Sequence, residues 1–193
     1  NTSESSSSRK KRNCQTDPSA FWNPSIPIYY TFDSSLASST ISQIRKAVQF
    51  WTTHTCLNFQ ENPYGQNRLR FFKGTGCWSY VGKQASWTSQ EISIGSGCTS
   101  LGTIAHEMAH AMGFYHTQSR YDRDYYISIN LNNVDKEQQY NFDKMTPATE
   151  NHFGLPYDYG SVMQYGGCEL HTYSIVRRGI QGTPRRIASE PQY

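Results

Sequence analysis

His106-Glu107-Met108-Ala109-His110-Ala111-Met112-Gly113-Phe114-Tyr115-His116 is the stretch whose reading decides this chain. Leu101, Ile104, Ala105, Met108 and Met112 recur at helical spacing, which predicts a helix from about Thr99 to Met112. On such a helix His106 and His110 lie four residues apart, one above the other on one face. Two imidazoles so placed can reach a single ion, and zinc takes histidine nitrogens at roughly 2.0–2.1 Å. Glu107, beside the first histidine, then stands next to the open coordination position as a general base. Gly113 follows His110 by three residues, and His116 follows Gly113 by three. A straight helix cannot return a third ligand to the first two. A glycine free to take positive φ ends the helix and swings the chain back, so Gly113 and His116 form one mechanical unit.

Downstream, Tyr157-Asp158-Tyr159-Gly160 leads into Ser161-Val162-Met163-Gln164-Tyr165, a turn carrying Met163. Upstream, the predicted elements belong to a sheet with a helix packed under it. Ile26 to Phe32 is β-branched and aromatic and reads as a strand, with Pro27 at its start or at an edge. Ile41, Ile44, Val48 and Trp51 mark an amphipathic helix from about Ser39 to Thr53, with Ala47 and Phe50 alongside. Ser38, Ser39 and Thr40 offer capping hydroxyls for it. Cys56 to Phe59, Arg68 to Phe72 and Glu91 to Ile94 read as further strands, and Asn62 to Gly65 as a turn. After Gly113 the chain is loop-rich, with a short helix expected within Asp135 to Asp143. His54, His152 and His171 fall outside the motif and read as structural or surface residues.

Composition narrows the class. With 36% hydrophobic and 17% charged residues among 193, the chain is globular rather than disordered. No apolar run reaches the length of a membrane span, and no apolar leader core stands at the start. The net charge of +3 is unevenly placed. Arg9 to Arg12, Arg177, Arg178, Arg185 and Arg186 hold eight of the 18 basic residues. Setting these aside, with Glu4 and Glu190, leaves ten basic against 13 acidic residues on positions 13 to 176. A nucleic-acid binder carries its positive charge on the folded body, so nucleic acid is excluded as a partner. The five cysteines, Cys14, Cys56, Cys77, Cys98 and Cys168, form no C-x-x-C pair. Single cysteines so widely spaced suit a disulfide-bearing extracellular domain more than buried free thiols in a cytosolic protein, and the odd count leaves at least one unpaired or bonded to another chain. Residues 1–12 are Ser-rich and then basic. Asn1-Thr2-Ser3 fits a glycosylation sequon, and Arg9-Lys10-Lys11-Arg12 reads either as a solvated charge run or as a dibasic processing site.

The full run from His106 to His116 resembles the metzincin pattern of three histidines, a general base and a reversing glycine. Within that clan the sequence resembles the astacin family of zinc metallopeptidases over roughly residues 21 to 166. Thr117-Gln118-Ser119-Arg120-Tyr121-Asp122-Arg123-Asp124 is similar to the family's segment after the third histidine, and residues 157–165 to its Met-turn. Gly76-Cys77-Trp78-Ser79-Tyr80-Val81-Gly82 and Gly97-Cys98 also match. The resemblance implies an α+β, two-lobed fold: an upper lobe with a twisted, mostly parallel sheet and two long helices, and a largely irregular lower lobe. It implies one catalytic zinc on His106, His110 and His116, with Glu107 and Tyr165 catalytic and Met163 under the metal. It further implies a Cys77–Cys98 disulfide, a substrate cleft bordered by Trp78, Ser79 and Tyr80, and protein or peptide substrates. The domain would run over 13–193, with an upper lobe at 13–116 and a lower lobe at 117–193. It would follow a 1–12 propeptide remnant removed by an activating protease cutting after Arg12.

Three positions depart from the family. Thr117 stands where a glutamate usually fixes the mature N-terminus, and Gln164 where a histidine usually sits. The stretch after Cys168 lacks the family's C-terminal helix and cysteine, leaving Cys168 or Cys14 as partners for Cys56. These departures motivate two competing readings, an inert secreted binding or matrix protein that keeps the fold, and a fragment without a stable fold.

Overall fold

The computed structural model describes residues 14–166 and the backbone of residues 175–177. In chain order the elements are β1 (Cys14–Gln15), β2 (Ile28–Phe32), α1 (Ser38–His54), β3 (Phe59–Glu61), β4 (Arg68–Phe72), β5 (Cys77–Ser79) and β6 (Ser89–Ile94). Then follow α2 (Leu101–Ala111), β7 (Ile127–Ile129), β8 (Glu150–Asn151) and β9 (Ile175–Arg177). Five strands form one sheet in the order β3-β2-β4-β6-β5. The β2–β3, β2–β4 and β4–β6 pairs are parallel, and β5 runs antiparallel along the edge.

Alternation builds the core. Ile28 and Tyr30 of β2, Leu69 and Phe71 of β4, and Ile92 and Ile94 of β6 point to one face of the sheet. Ile44, Ala47 and Val48 of α1 and Ile104, Met108 and Ala111 of α2 close over it. Fully burying a side chain such as Ile104 contributes about 1.5–3 kcal/mol. The Cys77–Cys98 disulfide ties the edge strand to the loop before α2. On the opposite sheet face Arg70 bridges Asp33 and Glu91, the latter at 2.6 Å.

A second, smaller core gathers Ile127, Val134, Phe142 and Tyr157. Around it the backbone forms short 3-10 turns, including Lys136–Phe142 where the sequence predicts a short helix. Arg120 organises this part of the chain from a buried position. It donates to both Asp122 oxygens at 2.9 and 2.8 Å and to the carbonyls of Pro156 and Leu155, both at 3.1 Å. β1 pairs with β8, and the Gln15 N–H donates to the Gly113 carbonyl at 3.0 Å, stitching the second core to the end of α2. No described helix is long and apolar enough to cross a membrane.

Several local expectations shift. The strand expected at Cys56 to Phe59 forms instead at Phe59–Glu61, where it meets Ile28 to Tyr30 in register. The chain before it is held to the end of α1 by the Thr55 N–H and hydroxyl on the Trp51 carbonyl. Ser38, Ser39 and Thr40 lie inside the first turn of α1 rather than capping it, and the N-cap is Ala37 without a side-chain bond. Phe50 faces outward and stacks on exposed His54 at 4.4 Å. Cys56 is exposed and bonded to no other cysteine among the described residues. Cys168, Asn1, His171 and the Arg9 to Arg12 run lie outside the described residues.

Candidate metal centre

Ser100 caps α2, accepting from the Thr103 N–H at 3.1 Å, so the helix starts in register to carry His106 and His110 inward. At its far end the Gly113 N–H donates to His110 O at 2.8 Å and the Phe114 N–H to Ala109 O at 3.0 Å. These two bonds are a Schellman motif, which needs a left-handed residue after the helix. Gly113 supplies it with φ +97°. The chain reverses there and brings His116 back to the helix face.

The three rings converge. His116 Nε2 lies 3.1 Å from His106 Nε2 and 3.0 Å from His110 Nε2. Two nitrogens bound tetrahedrally to one zinc would stand roughly 3.3 Å apart. The outer nitrogens explain the tautomers. His106 Nδ1 meets the Val162 carbonyl at 2.7 Å, and His110 Nδ1 meets the Phe114 carbonyl at 2.8 Å. A carbonyl only accepts, so each Nδ1 carries its proton and each Nε2 turns a lone pair inward. Convergent lone pairs repel unless a cation sits among them. The donor set therefore fits a zinc ion. His106, His110 and His116 are the described residues whose ligand atoms gather closely enough to hold a metal. Burial keeps them neutral, as ligands must be. It holds His110 down to about 4 and His116 to about 2, helped in each case by neighbouring histidines, and it lowers His106 as well.

Glu107 is 4% exposed, and its Oε2 finds no hydrogen-bond partner among the described residues. Desolvation pushes its carboxyl up to about 7. A carboxyl tuned near neutrality beside a metal-ligand cluster can both accept and return a proton.

The Met-turn packs against this cluster. Val162 supplies the carbonyl on His106, and the carbonyl of buried Met163 accepts the Thr117 N–H at 2.8 Å. The Tyr165 ring centroid stands 4.5 Å from that of His116. Trp78 and Ser79 lie on β5, which packs on α2, and Tyr80 follows it. The rings of Phe72, Trp78, Tyr80 and Trp87 meet edge to face in sequence. The Gly82 N–H joins this segment to His110 O at 2.8 Å. The carbonyls of Val162 and Phe114 carry no sequence signal, because any residue supplies one. Gln164 is legible in sequence as a departure from the family pattern and Gln118 as part of a matching segment, but the bonds both make to the Tyr165 backbone are not.

Comparisons agree with this geometry. A family model described as Astacin, a peptidase family, matches residues 14–177. Zinc metalloproteinase nas-28 of Caenorhabditis elegans is 46% identical over 162 residues, covering 84% of this chain and 33% of that protein. Blastula protease 10 of Paracentrotus lividus is 42% identical over 166 residues, covering 82% and 27%. The chain thus spans about a third or less of the length of these curated relatives. Among solved structures, high choriolytic enzyme 1, a hatching enzyme zinc-protease from Oryzias latipes, superposes with TM-score 0.78 at 32% identity, covering 86% of this chain and 85% of that one. Myroilysin shares the fold, with TM-score 0.61 at 21% identity. On its three convergent histidines, its reversing glycine and these matches, the chain belongs to the astacin family of peptidases.

Proposed function

We propose that this domain is a secreted zinc endopeptidase that hydrolyses peptide bonds in protein substrates. The observation that carries this reading is the convergence of three histidine Nε2 atoms at the helix that also carries Glu107, a buried glutamate whose Oε2 has no hydrogen-bond partner among the described residues. One zinc ion held by His106, His110 and His116 would polarise the scissile carbonyl and acidify a water molecule toward a pKa of about 7. Glu107 takes the proton from the attacking water and delivers it to the leaving amine. The Tyr165 hydroxyl donates to the oxyanion that develops on the substrate. β5 lies at the sheet edge, and its backbone, with Trp78, Ser79 and Tyr80, borders an extended substrate that adds to it as a further strand.

An inert fold is disfavoured by Glu107. Burying a carboxyl oxygen without a hydrogen-bond partner among the described residues costs stability, and the proton-carrying role gives that cost a use. Secretion is supported by the Cys77–Cys98 disulfide, which persists in oxidising compartments. Activation by a protease cutting after Arg12, glycosylation at Asn1, and a catalytic domain of 13–193 divided at 116 complete the proposal.

The test is hydrolysis of a denatured, unspecific protein substrate by the chain cut after Arg12. Cleavage should stop on addition of a zinc chelator and return with zinc. Cleavage that persists through exhaustive chelation would overturn the reading.

A further inference from the structure

We propose that Gln118 and Gln164 are positioning residues that clamp the backbone of Tyr165, fixing the pivot from which its ring addresses the metal centre. This rests on the zinc-peptidase reading above, and deepens it at one residue. Gln118 is 0% exposed, and its Oε1 accepts the Tyr165 N–H at 3.1 Å. From the other side Gln164 Nε2 donates to the Tyr165 carbonyl at 3.1 Å. Both polar groups of the Tyr165 main chain are therefore held by side-chain amides from different parts of the chain.

The amide orientations are not free. An N–H must meet Oε1 of Gln118. At Gln164 the Oε1 accepts the Tyr157 hydroxyl at 2.6 Å, which leaves Nε2 for the Tyr165 carbonyl. Tyr157 is buried and anchored in turn, stacked on Tyr126 at 4.9 Å with the Arg120 guanidinium 5.3 Å from its ring. The clamp thus runs from the second core through Tyr157 and Gln164 to Tyr165. Gln118 closes it from the segment just after His116, and the Thr117 N–H to Met163 O bond at 2.8 Å joins the same two segments. The Tyr165 ring lies between His116 at 4.5 Å and Phe142 at 5.8 Å. A backbone held at both ends lets the side chain turn about its own bonds while its origin stays fixed. Gln118 Nε2 has no hydrogen-bond partner among the described residues. A buried amide carrying an unpaired donor costs stability, so an apolar residue of like volume would serve packing better. Its acceptor on Tyr165 is what the amide adds.

The experiment combines Gln118→Leu, Gln164→Leu and Tyr165→Phe in the chain cut after Arg12. In nuclear magnetic resonance spectra of the metal-free protein, Gln118→Leu should weaken protection of the Tyr165 amide about fivefold or more, and Gln164→Leu, which frees the Tyr165 carbonyl, should shift the Tyr165 backbone carbonyl signal. Each glutamine variant should also weaken the ring-to-ring contact signal between Tyr165 and His116. In the zinc-loaded protein kcat should fall about 10- to 100-fold with KM within about twofold, because misplacement by about an ångström acts on the transition state. In a Tyr165→Phe background the same glutamine changes should cost less than about twofold, since their route to chemistry is already gone. Unchanged Tyr165 protection and ring contacts, or a full kcat loss in that background, would overturn the proposal. If the wild-type chain cleaves nothing, the peptidase reading fails separately, and the spectra still decide whether the clamp exists.

Discussion

Replacing Gly113 by alanine tests the link between the helix stop and the third ligand. Gly113 holds φ +97°, beyond the left-handed well that an L-residue visits at moderate cost. Forcing alanine there costs about 1–3 kcal/mol in backbone strain. The added Cβ would meet Gln15 Cγ at 3.3 Å, a flexible side chain that can yield by a few tenths of an ångström. Loss of unfolded-state entropy returns about 0.4–1 kcal/mol, leaving a net cost of about 1–2 kcal/mol. The strain can appear in two places. If the turn keeps its shape, the metal-free chain loses that stability and zinc affinity stays constant. If the turn relaxes, His116 drifts from His106 and His110, and binding must restore it, so zinc affinity falls about tenfold for each 1.4 kcal/mol. Urea unfolding of the metal-free protein and a competitive zinc titration measure the two terms, which should total about 1–2 kcal/mol. A variant unchanged in both would refute the claim that Gly113 is needed to bring His116 home.

Other perturbations have distinct expected outcomes. Ile104→Ala, at a fully buried α2 position facing the sheet, should lower unfolding free energy by about 2–5 kcal/mol in urea melts. Arg120→Met should cost about 3–5 kcal/mol by the same assay, because Asp122 would keep a largely buried charge without its partner. The Asp33 carboxyl is held down to about 2 by hydrogen bonds from Ser35 and then Arg70, against an ordinary value of 3.8. A lowered folded-state pKa gives stability that is full above about 4 and fades as pH falls through about 2. Wild type should therefore outlast Asp33→Asn in urea at pH 5, and that gap should close as pH approaches 2. A gap that does not change with pH would contradict the assignment.

Much of the upper part of the fold was legible because its signals are local and periodic. Ile44, Val48 and Trp51 gave α1 within one residue at each end, and Arg68–Phe72 was read at its observed bounds. β5 was not read as a strand, since Cys77-Trp78-Ser79 is too short to show alternation between flanking glycines. Its place is set by pairing with β6 and by the disulfide. β3 shifted because pairing with β2 outweighs the propensity of Cys56 to Phe59. The site's frame was legible because a helix period and one glycine fix the relation of His106, His110 and His116. What holds it in place was not. The Val162 carbonyl on His106 and the Gln118 amide on Tyr165 join residues 56 and 47 positions apart, and Gln164 reaches the backbone carbonyl of the next residue; such bonds to backbone atoms leave no pattern in sequence. His152 shows the same limit. It is half-buried beside Asp122 and Glu150, a placement that no spacing announces.

The most direct measurement of the account is zinc content and peptide-bond cleavage in one preparation of the chain and of its Glu107→Ala variant. Glu107 is close to the histidines but is not among the three that converge. The account predicts one zinc per chain in both proteins, with cleavage of a denatured protein lost from the variant by at least about 100-fold. Equal cleavage by the two proteins would contradict Glu107 as the proton carrier, and absence of zinc from the wild-type chain would contradict the three-histidine centre itself.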